Sequence, residues 1–535
     1  MDTLEPVLLD GEWRPSQASG HFRAENPATG EAFGPLYPVS DAADIEQALR
    51  SACQAAPALA AASPEHIATF LEAYAVLIDR HAEELARMAQ DETGLPADTR
   101  IAGNELPRTT DQLRQAAQAV RRYAWSQPVI DTVKGLRAHF APLGKPVLIM
   151  GPNNFPLAFN AVSGSDFASA IAARNPVIAK GHPSHPGTSK RLAELAREAL
   201  RRSDLPVASV QMLYKFDSSL GLSLAGDSRL GAIAFTGSRA GGLALKAAAD
   251  KAGIPIYAEM SSINPVFLLP GAIAERGADK LAAEFFASCT AGTGQFCTNP
   301  GLVIVPRGEA GDAFVSAATE HFAQASPGIV FSRGVRDNFL QALQHLGAAG
   351  AKILAGGQAV DGPGHRVAPT LLSVGAGTFL AHGQDLQHEA FGPASLLVRA
   401  NDVDTMCRIA ARFEGNLTGT LYRANDGHDD ATWKQVVAVL RPRVGRLISN
   451  KMPTGVAVSP AMNHGGPYPS TTHPGHTAVG MPAAIRRFAA LHCYDNVPQS
   501  LLPTELRDHN PGGIPRLVDG LWTRADLMKK SGVTA

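Results

Sequence analysis

Cysteine is scarce: the chain holds five in 535 residues, at positions 53, 289, 297, 407 and 493. So small, odd and scattered a set argues against a disulfide framework and leaves room for a working thiol. Charge of one sign is also missing. Lys and Arg number 48 against 49 Asp and Glu, a formal net charge of -1 without any long basic block. The chain therefore has no general pull on nucleic acid or anionic membranes. No apolar run reaches the about 20 residues that span a bilayer, and residues 1–10 lack the basic start, apolar centre and small-residue cleavage site of a secretion signal. The expected location is the cytoplasm, with no nucleic-acid and no membrane partner. What is present is core material: 45% hydrophobic against 18% charged residues, enough for two or three domains.

Apolar residues at helical spacing over 41–57 and 64–92 predict a first third that is mostly helical. Residues 7–13, with Asp10-Gly11 in the middle, read as a hairpin with a type I′ turn. From about Pro146 the pattern changes to short apolar runs that each end in a turn and feed a helix, at 147–150, 176–180, 210–214, 232–235 and 256–259. That alternation predicts a parallel sheet with helices on both faces. A second alternating region, 264–450, carries strand-like runs at 265–269, 302–305 and 394–398 and reads as a second α/β domain. Residues 129–144 look like a strand pair inserted before the first sheet strand, and the Pro- and Gly-rich tail after Gly465 like a docking extension.

Four segments carry candidate chemistry. Gly292-Thr-Gly-Gln-Phe-Cys297-Thr-Asn-Pro-Gly301 holds a cysteine among small residues, where backbone can approach a ligand and the sulfur can act as a nucleophile. A buried structural cysteine in a tight turn is the competing reading. Glu259 ends the run Ile256-Tyr-Ala-Glu259, at the carboxyl end of a sheet strand where ligands bind, and suits a general base; a solvated strand-ending Glu is the alternative. Phe235-Thr-Gly237-Ser238 ends a strand and opens a helix, a place for a pyrophosphate or simply a serine N-cap. Asn154 in Gly151-Pro-Asn-Asn154-Phe-Pro156 offers a carboxamide to a developing oxyanion, or is an ordinary turn residue. The histidines at 182, 185, 464, 473 and 476 lie in Pro- and Gly-rich stretches without Cys or carboxylate clusters at ligand spacing, so no metal is expected.

Each motif is weak alone, but their order is specific. Asn154-Phe-Pro, Lys180, Phe235-Thr-Gly-Ser238, Glu259, Gly294-Gln-Phe-Cys297 and Glu389-Ala-Phe391-Gly392-Pro393 together resemble the aldehyde dehydrogenase superfamily from about residue 8 to about residue 496. Ala258-Glu-Met-Ser-Ser-Ile-Asn-Pro-Val-Phe267, Pro453-Thr-Gly-Val456 and His464-Gly-Gly-Pro-Tyr-Pro469 are similar to the 2-ketoglutarate semialdehyde (2,5-dioxovalerate) dehydrogenase branch. The resemblance implies two parallel-sheet α/β domains, one Rossmann-like for the cofactor (1–128 and 145–263) and one catalytic (264–450). It adds a small β oligomerisation element (129–144 and 484–500), a C-terminal extension (501–535) and assembly as a homodimer or homotetramer. It further implies NAD(P)-dependent oxidation of an aldehyde through a Cys297 thioester, with 2,5-dioxopentanoate giving 2-oxoglutarate. Asn154 and the Cys297 N–H would hold the oxyanion, and Glu259 would activate the hydrolytic water. Lys180 and Glu389 would bond the cofactor riboses, Gly237 and Ser238 would meet the pyrophosphate, and Phe391 would pack near the nicotinamide.

Two departures bear on specificity. Pro183 stands where most members carry an acidic residue for the ribose 2′-hydroxyl, which favours NADP, or dual use with NAD, with Lys190 or Arg191 as neutralising cations. The Asn450-Lys451-Met452-Pro453 run departs from a Gly-Phe pair expected in this branch, and Ser459 and Asn463 are also unusual there. Ser261-Ser262 stands where most relatives carry Gly-Gly, a swap this branch shares. Oxidation of uncharged aliphatic aldehydes, and a cysteine thioester hydrolase without redox activity, are the alternative functions.

Overall fold

Short apolar runs that alternate with amphipathic helices have few ways to bury both faces, and here they form two open sheets. The computed structural model describes residues 3–358 and 360–527. In the first sheet, strands Ile256–Glu259, Ala232–Thr236, Val147–Met150, Val177–Lys180 and Val210–Leu213 lie side by side and parallel, in that order. Val7–Leu9 and Glu12–Arg14 complete its far edge as an antiparallel hairpin. Asp10 and Gly11 have φ of 55° and 74°, as the type I′ turn requires. Chain order reverses between Val147–Met150 and Ala232–Thr236, so the crevice at the carboxyl ends of these two strands is the ligand position for such a sheet.

The second sheet runs Lys352–Ala355, Thr370–Gly375, Ala394–Ala400, Leu302–Pro306, Val266–Leu268, Asn416–Tyr422, Val444–Ser449, parallel except at its first strand. Alternate residues feed opposite cores. Val266, Leu268, Val303 and Val305 pack with Phe285, Phe314 and Phe322, whereas Phe267, Leu302 and Ile304 pack with Phe339 and Phe379. Both faces of the central strands Val266–Leu268 and Leu302–Pro306 are dry, which is why they read as continuous apolar runs.

Three features depart from the sequence reading. The first third contains a long hairpin, Ala18–Asn26 with Glu31–Ser40, beside its helices. Strands Thr370–Gly375, Asn416–Tyr422 and Val444–Ser449 add to those expected in the second region. Thirdly, the chain after residue 500 joins the small sheet around Leu136–Pro142: Ala489–Asp495 pairs one side of that strand, and Val129–Asp131 leads from the other to Arg516–Val518 and Leu521–Thr523. The segment before it docks on the first sheet, with Met260 N–H donating to Ser470 O at 2.8 Å and Thr472 N–H to Ala258 O at 3.2 Å. This docking covers an exposed sheet edge and carries His464 towards Glu259. Among the described residues no helix is long and apolar enough to cross a membrane.

Candidate active site

The loop holding Cys297 is built on residues that only small side chains allow. After helix Ala278–Thr290, Gly292, Thr293 and Gly294 take φ of 54°, 56° and 68°. A Cβ on Gly294 would stand 2.2 Å from the carbonyl carbon of Gly392, so the nucleophile loop lies directly on the 389–393 segment. Asn264 then donates to the carbonyls of Cys297 and Asn299, both at 2.9 Å, and Asn299 reaches Gly392 O at 3.2 Å. Ser262, one of the Ser-Ser pair, bonds Asn264 Oδ1 at 3.0 Å and Asn416 Oδ1 at 3.1 Å, and so stiffens the bend that holds the loop.

Three reactive side chains meet there. His464 Nε2 lies 3.1 Å from Cys297 Sγ and 3.1 Å from Glu259 Oε1. Burial alone would depress this imidazole, but the charges of Glu259 and Cys297 and its hydrogen bonds to both override that and raise its pKa to about 10. Asn154, buried after the strand Val147–Met150, donates its side-chain amide to Gln295 O at 3.0 Å, two residues before the thiol. Arg100 fixes that turn through Asn154 O at 3.1 Å and pairs with buried Glu105 at 2.7 Å. Cys289 is different: it is fully buried, and burial pushes its thiol up to about 12, which makes it inert at neutral pH.

The cofactor candidates lie on the same side. Ser238 caps helix Arg239–Lys251, accepting from Gly241 N–H at 3.3 Å, and Gly237 N–H donates to Glu259 O at 3.1 Å. This helix start faces the crevice where strand order reverses, a site suited to a pyrophosphate. Lys180 ends its strand with no carboxylate partner among the described residues, and burial, then Lys215, pull its pKa down to about 8. Glu389 shares a cleft with Phe391, Gly294 and Ile263. Burial lifts Glu389 to about 7 against the hydrogen bonds of Ser261 and of the Ser262 backbone. A helix start, an uncompensated ammonium and a buried carboxyl aimed at a cleft fit a dinucleotide. Of the neutralising cations, Lys190 pairs with Glu5 at 2.8 Å, and Arg191 with Glu84 and Glu194 at 3.0 Å each.

Sequence reasoning missed His464 as part of this centre, considering it only as a metal ligand. Of the other histidines, His473 and His476 line the same cleft as Glu259 and His464. His182 and His185 are buried and held neutral, with His185 bonded to Pro152 O at 3.2 Å, and His473 and His476 flank the Tyr257 ring. Glu259, Cys297 and His464 do present ligand atoms within 4.8 Å of one another, so the trio has the geometry to hold a metal ion as well as to pass a proton.

Residues 13–488 match the aldehyde dehydrogenase family. The chain belongs to that family. Relatives agree along nearly the whole length: alpha-ketoglutaric semialdehyde dehydrogenase 2 of Azospirillum brasilense is 40% identical, covering 97% of this chain and 99% of that protein. An alpha-ketoglutaric semialdehyde dehydrogenase of Acinetobacter baylyi is 36% identical, covering 92% and 94%. The fold matches that of solved aldehyde dehydrogenases, among them the NAD+ complex from Bacillus cereus, with a TM-score of 0.79 at 19% identity over 92% of this chain and 96% of that one. PnpE in complex with nicotinamide adenine dinucleotide gives a TM-score of 0.78 at 23% identity, over 92% and 97%. As an aldehyde dehydrogenase, this protein is an enzyme that oxidises an aldehyde.

Proposed function

We propose that this aldehyde dehydrogenase converts 2,5-dioxopentanoate to 2-oxoglutarate, with Cys297 as nucleophile. The observation that carries the chemistry is the convergence of Cys297, His464 and Glu259 at 3.1 Å contacts beside Asn154. The substrate is supported by the two relatives above 35% identity, both named for alpha-ketoglutaric semialdehyde.

His464, carrying its second proton at neutral pH, stands 3.1 Å from the Cys297 sulfur and favours the negative charge the sulfur needs for attack. Sulfur adds to the aldehyde carbon, and the resulting oxyanion is held by the Asn154 amide and the Cys297 N–H. A nicotinamide dinucleotide at this site supplies the oxidising chemistry by accepting the hydride. The Cys297 thioester then remains. Glu259 takes a proton from water, the hydroxide attacks the thioester carbonyl, and the acid leaves with the thiolate restored beside His464. Lys180 and Glu389 would hold the cofactor riboses, Gly237 and Ser238 its pyrophosphate, and Phe391 would offer its nicotinamide an apolar contact. With Pro183 in place of a carboxylate and Lys215 close enough to act on Lys180, the adenosine side favours NADP over NAD.

The same reading assigns 1–128 and 145–263 to cofactor binding, 264–450 to catalysis, and 129–144 with 484–500 to assembly as a cytoplasmic homo-oligomer. Val133, Leu491, Leu521 and Trp522, all more than 60% exposed on the small sheet, support that assembly. Reduction of NADP+ and NAD+ is to be followed in parallel with 2,5-dioxopentanoate and hexanal. Preference for the first aldehyde supports the proposal, and turnover of hexanal alone overturns the substrate. Absence of cofactor reduction with every aldehyde overturns the mechanism.

A further inference from the structure

Two half-buried guanidinium groups beside the nucleophile have no carboxylate partner among the described residues, and they hold one loop between them. Arg108, on helix Leu106–Arg121, donates Nη1 to Val456 O at 2.9 Å. Arg446, on strand Val444–Ser449, donates Nη1 to Gly455 O at 3.0 Å and Nη2 to Pro453 O at 2.7 Å. That loop touches the nucleophile segment, for Gly455 N–H donates to Thr298 Oγ1 at 3.2 Å. Arg108 also lies 4.9 Å over the Phe159 ring, which packs against the Phe155 ring at 5.1 Å and the His464 ring at 6.1 Å. Both arginines thus lie close enough to Cys297 for its charge to act on them.

Their remaining donors are unspent. Nε and Nη2 of Arg108 and Nε of Arg446 are buried without a hydrogen-bond partner among the described residues. In Arg108 the free pair forms one edge of the fork, the edge that takes a carboxylate side-on through two parallel bonds. Nearby acids do not fill it. Glu105 is committed to Arg100 and to the Leu157 and Ala158 N–H groups, and Glu259 to His464. Burying such a cation unpaired is costly, whereas a bound anion would satisfy it. Burial pulls both arginines down from their usual range, with the Cys297 charge acting in the opposite sense on each.

We infer that Arg108 anchors the distal carboxylate of the substrate side-on through Nε and Nη2, with Arg446 Nε as a second donor, so that the two arginines select aldehydes carrying a terminal carboxylate. The inference rests on the reading of Cys297 as the nucleophile and gives the substrate class its physical basis. Phe155, Phe159 and Phe296, packed 5.1 to 5.6 Å apart, form the apolar wall along which the carbon chain would lie.

The test measures kcat/KM of the full-length enzyme on 2,5-dioxopentanoate, glutarate semialdehyde and pentanal, together with calorimetric binding of 2-oxoglutarate. Arg108→Met is expected to lower the ratio of carboxylate substrate to pentanal by about a hundredfold, mostly through KM, and to abolish 2-oxoglutarate binding. Arg108→Lys should recover part of the ratio, because charge returns without the fork. Arg446→Met should lower it by about tenfold. Arg108→Gln keeps a donor for Val456 and guards against a collapsed loop, and it too should lose the preference. If wild type prefers carboxylate aldehydes and all four variants keep that preference, the arginine anchor is wrong while the substrate class stands. If wild type turns over pentanal as well as it does the carboxylate aldehydes, the substrate class itself fails, and the anchor with it.

Discussion

His464 Nε2 stands 3.1 Å from Glu259 Oε1, and the same nitrogen is 3.1 Å from the Cys297 sulfur. One ring nitrogen therefore links the thiol that attacks to the carboxylate that later activates water. A single proton at Nε2 can favour either side, which couples the acylation and deacylation halves of the reaction.

Replacing His464 by Gln removes the cation beside the thiol. Alkylation of Cys297 by iodoacetamide near neutral pH is expected to slow by at least about tenfold, with a similar loss in the rate of the first turnover. Unchanged alkylation would show that the imidazole does not activate the sulfur. The raised pKa also has a stability consequence. An imidazole held at about 10 against 6.5 contributes stability fully present below pH 6.5 and lost as pH rises through about 10. The melting-temperature gap between wild type and His464→Gln should shrink across that window.

Cys297→Ala should abolish dehydrogenase activity, whereas Cys289→Ala should keep most of it and lower stability by about 1 kcal/mol through the small cavity left in a packed core. Parallel activity and denaturant-unfolding measurements separate the two thiols, and the reverse pattern would refute their assignment.

Gly294→Ala brings a Cβ to 2.2 Å from Gly392 at a φ of +68°. The nucleophile loop and the 389–393 segment cannot both keep their places, so kcat should fall at least about tenfold and the melting temperature by several degrees. Activity like wild type would mean that the loop tolerates a shift the contact forbids.

Glu92 lies buried under the start of helix Pro186–Arg201, accepting from Gly187 N–H at 2.7 Å and from the Thr188 N–H and hydroxyl. Burial nevertheless raises its pKa to about 7 from 4.5. With the folded value above the unfolded one, its protonated form contributes stability below about pH 4.5 that is lost as pH rises to about 7. Glu92→Gln carries no such titration. Its melting temperature relative to wild type should therefore climb between about pH 5 and pH 8, and a flat difference would contradict the shift.

What the sequence disclosed follows from range. Strands such as Val147–Met150 and Leu302–Pro306 are legible because both faces are buried and nothing polar breaks the run. The hairpin Ala18–Asn26 with Glu31–Ser40 is not, because its strands are largely exposed and interspersed with charge and glycine. Asn154, Glu259 and Cys297 were legible as motifs, each defined by neighbours within a few residues. His464 was not, because its partner thiol is 167 residues away and only the docking of the tail brings them together. Arg108 meets its loop across 348 residues and carries no local signal on its helix.

The most direct test of covalent aldehyde oxidation at Cys297 uses Glu259→Gln mixed with NADP+ and 2,5-dioxopentanoate, followed by rapid quenching and intact-protein mass spectrometry. With the water-activating carboxylate gone, one equivalent of reduced cofactor should form in a burst, and the acyl group should be found on Cys297. A protein that turns over at the wild-type rate, or that forms reduced cofactor with Cys297 unmodified throughout, would contradict the account.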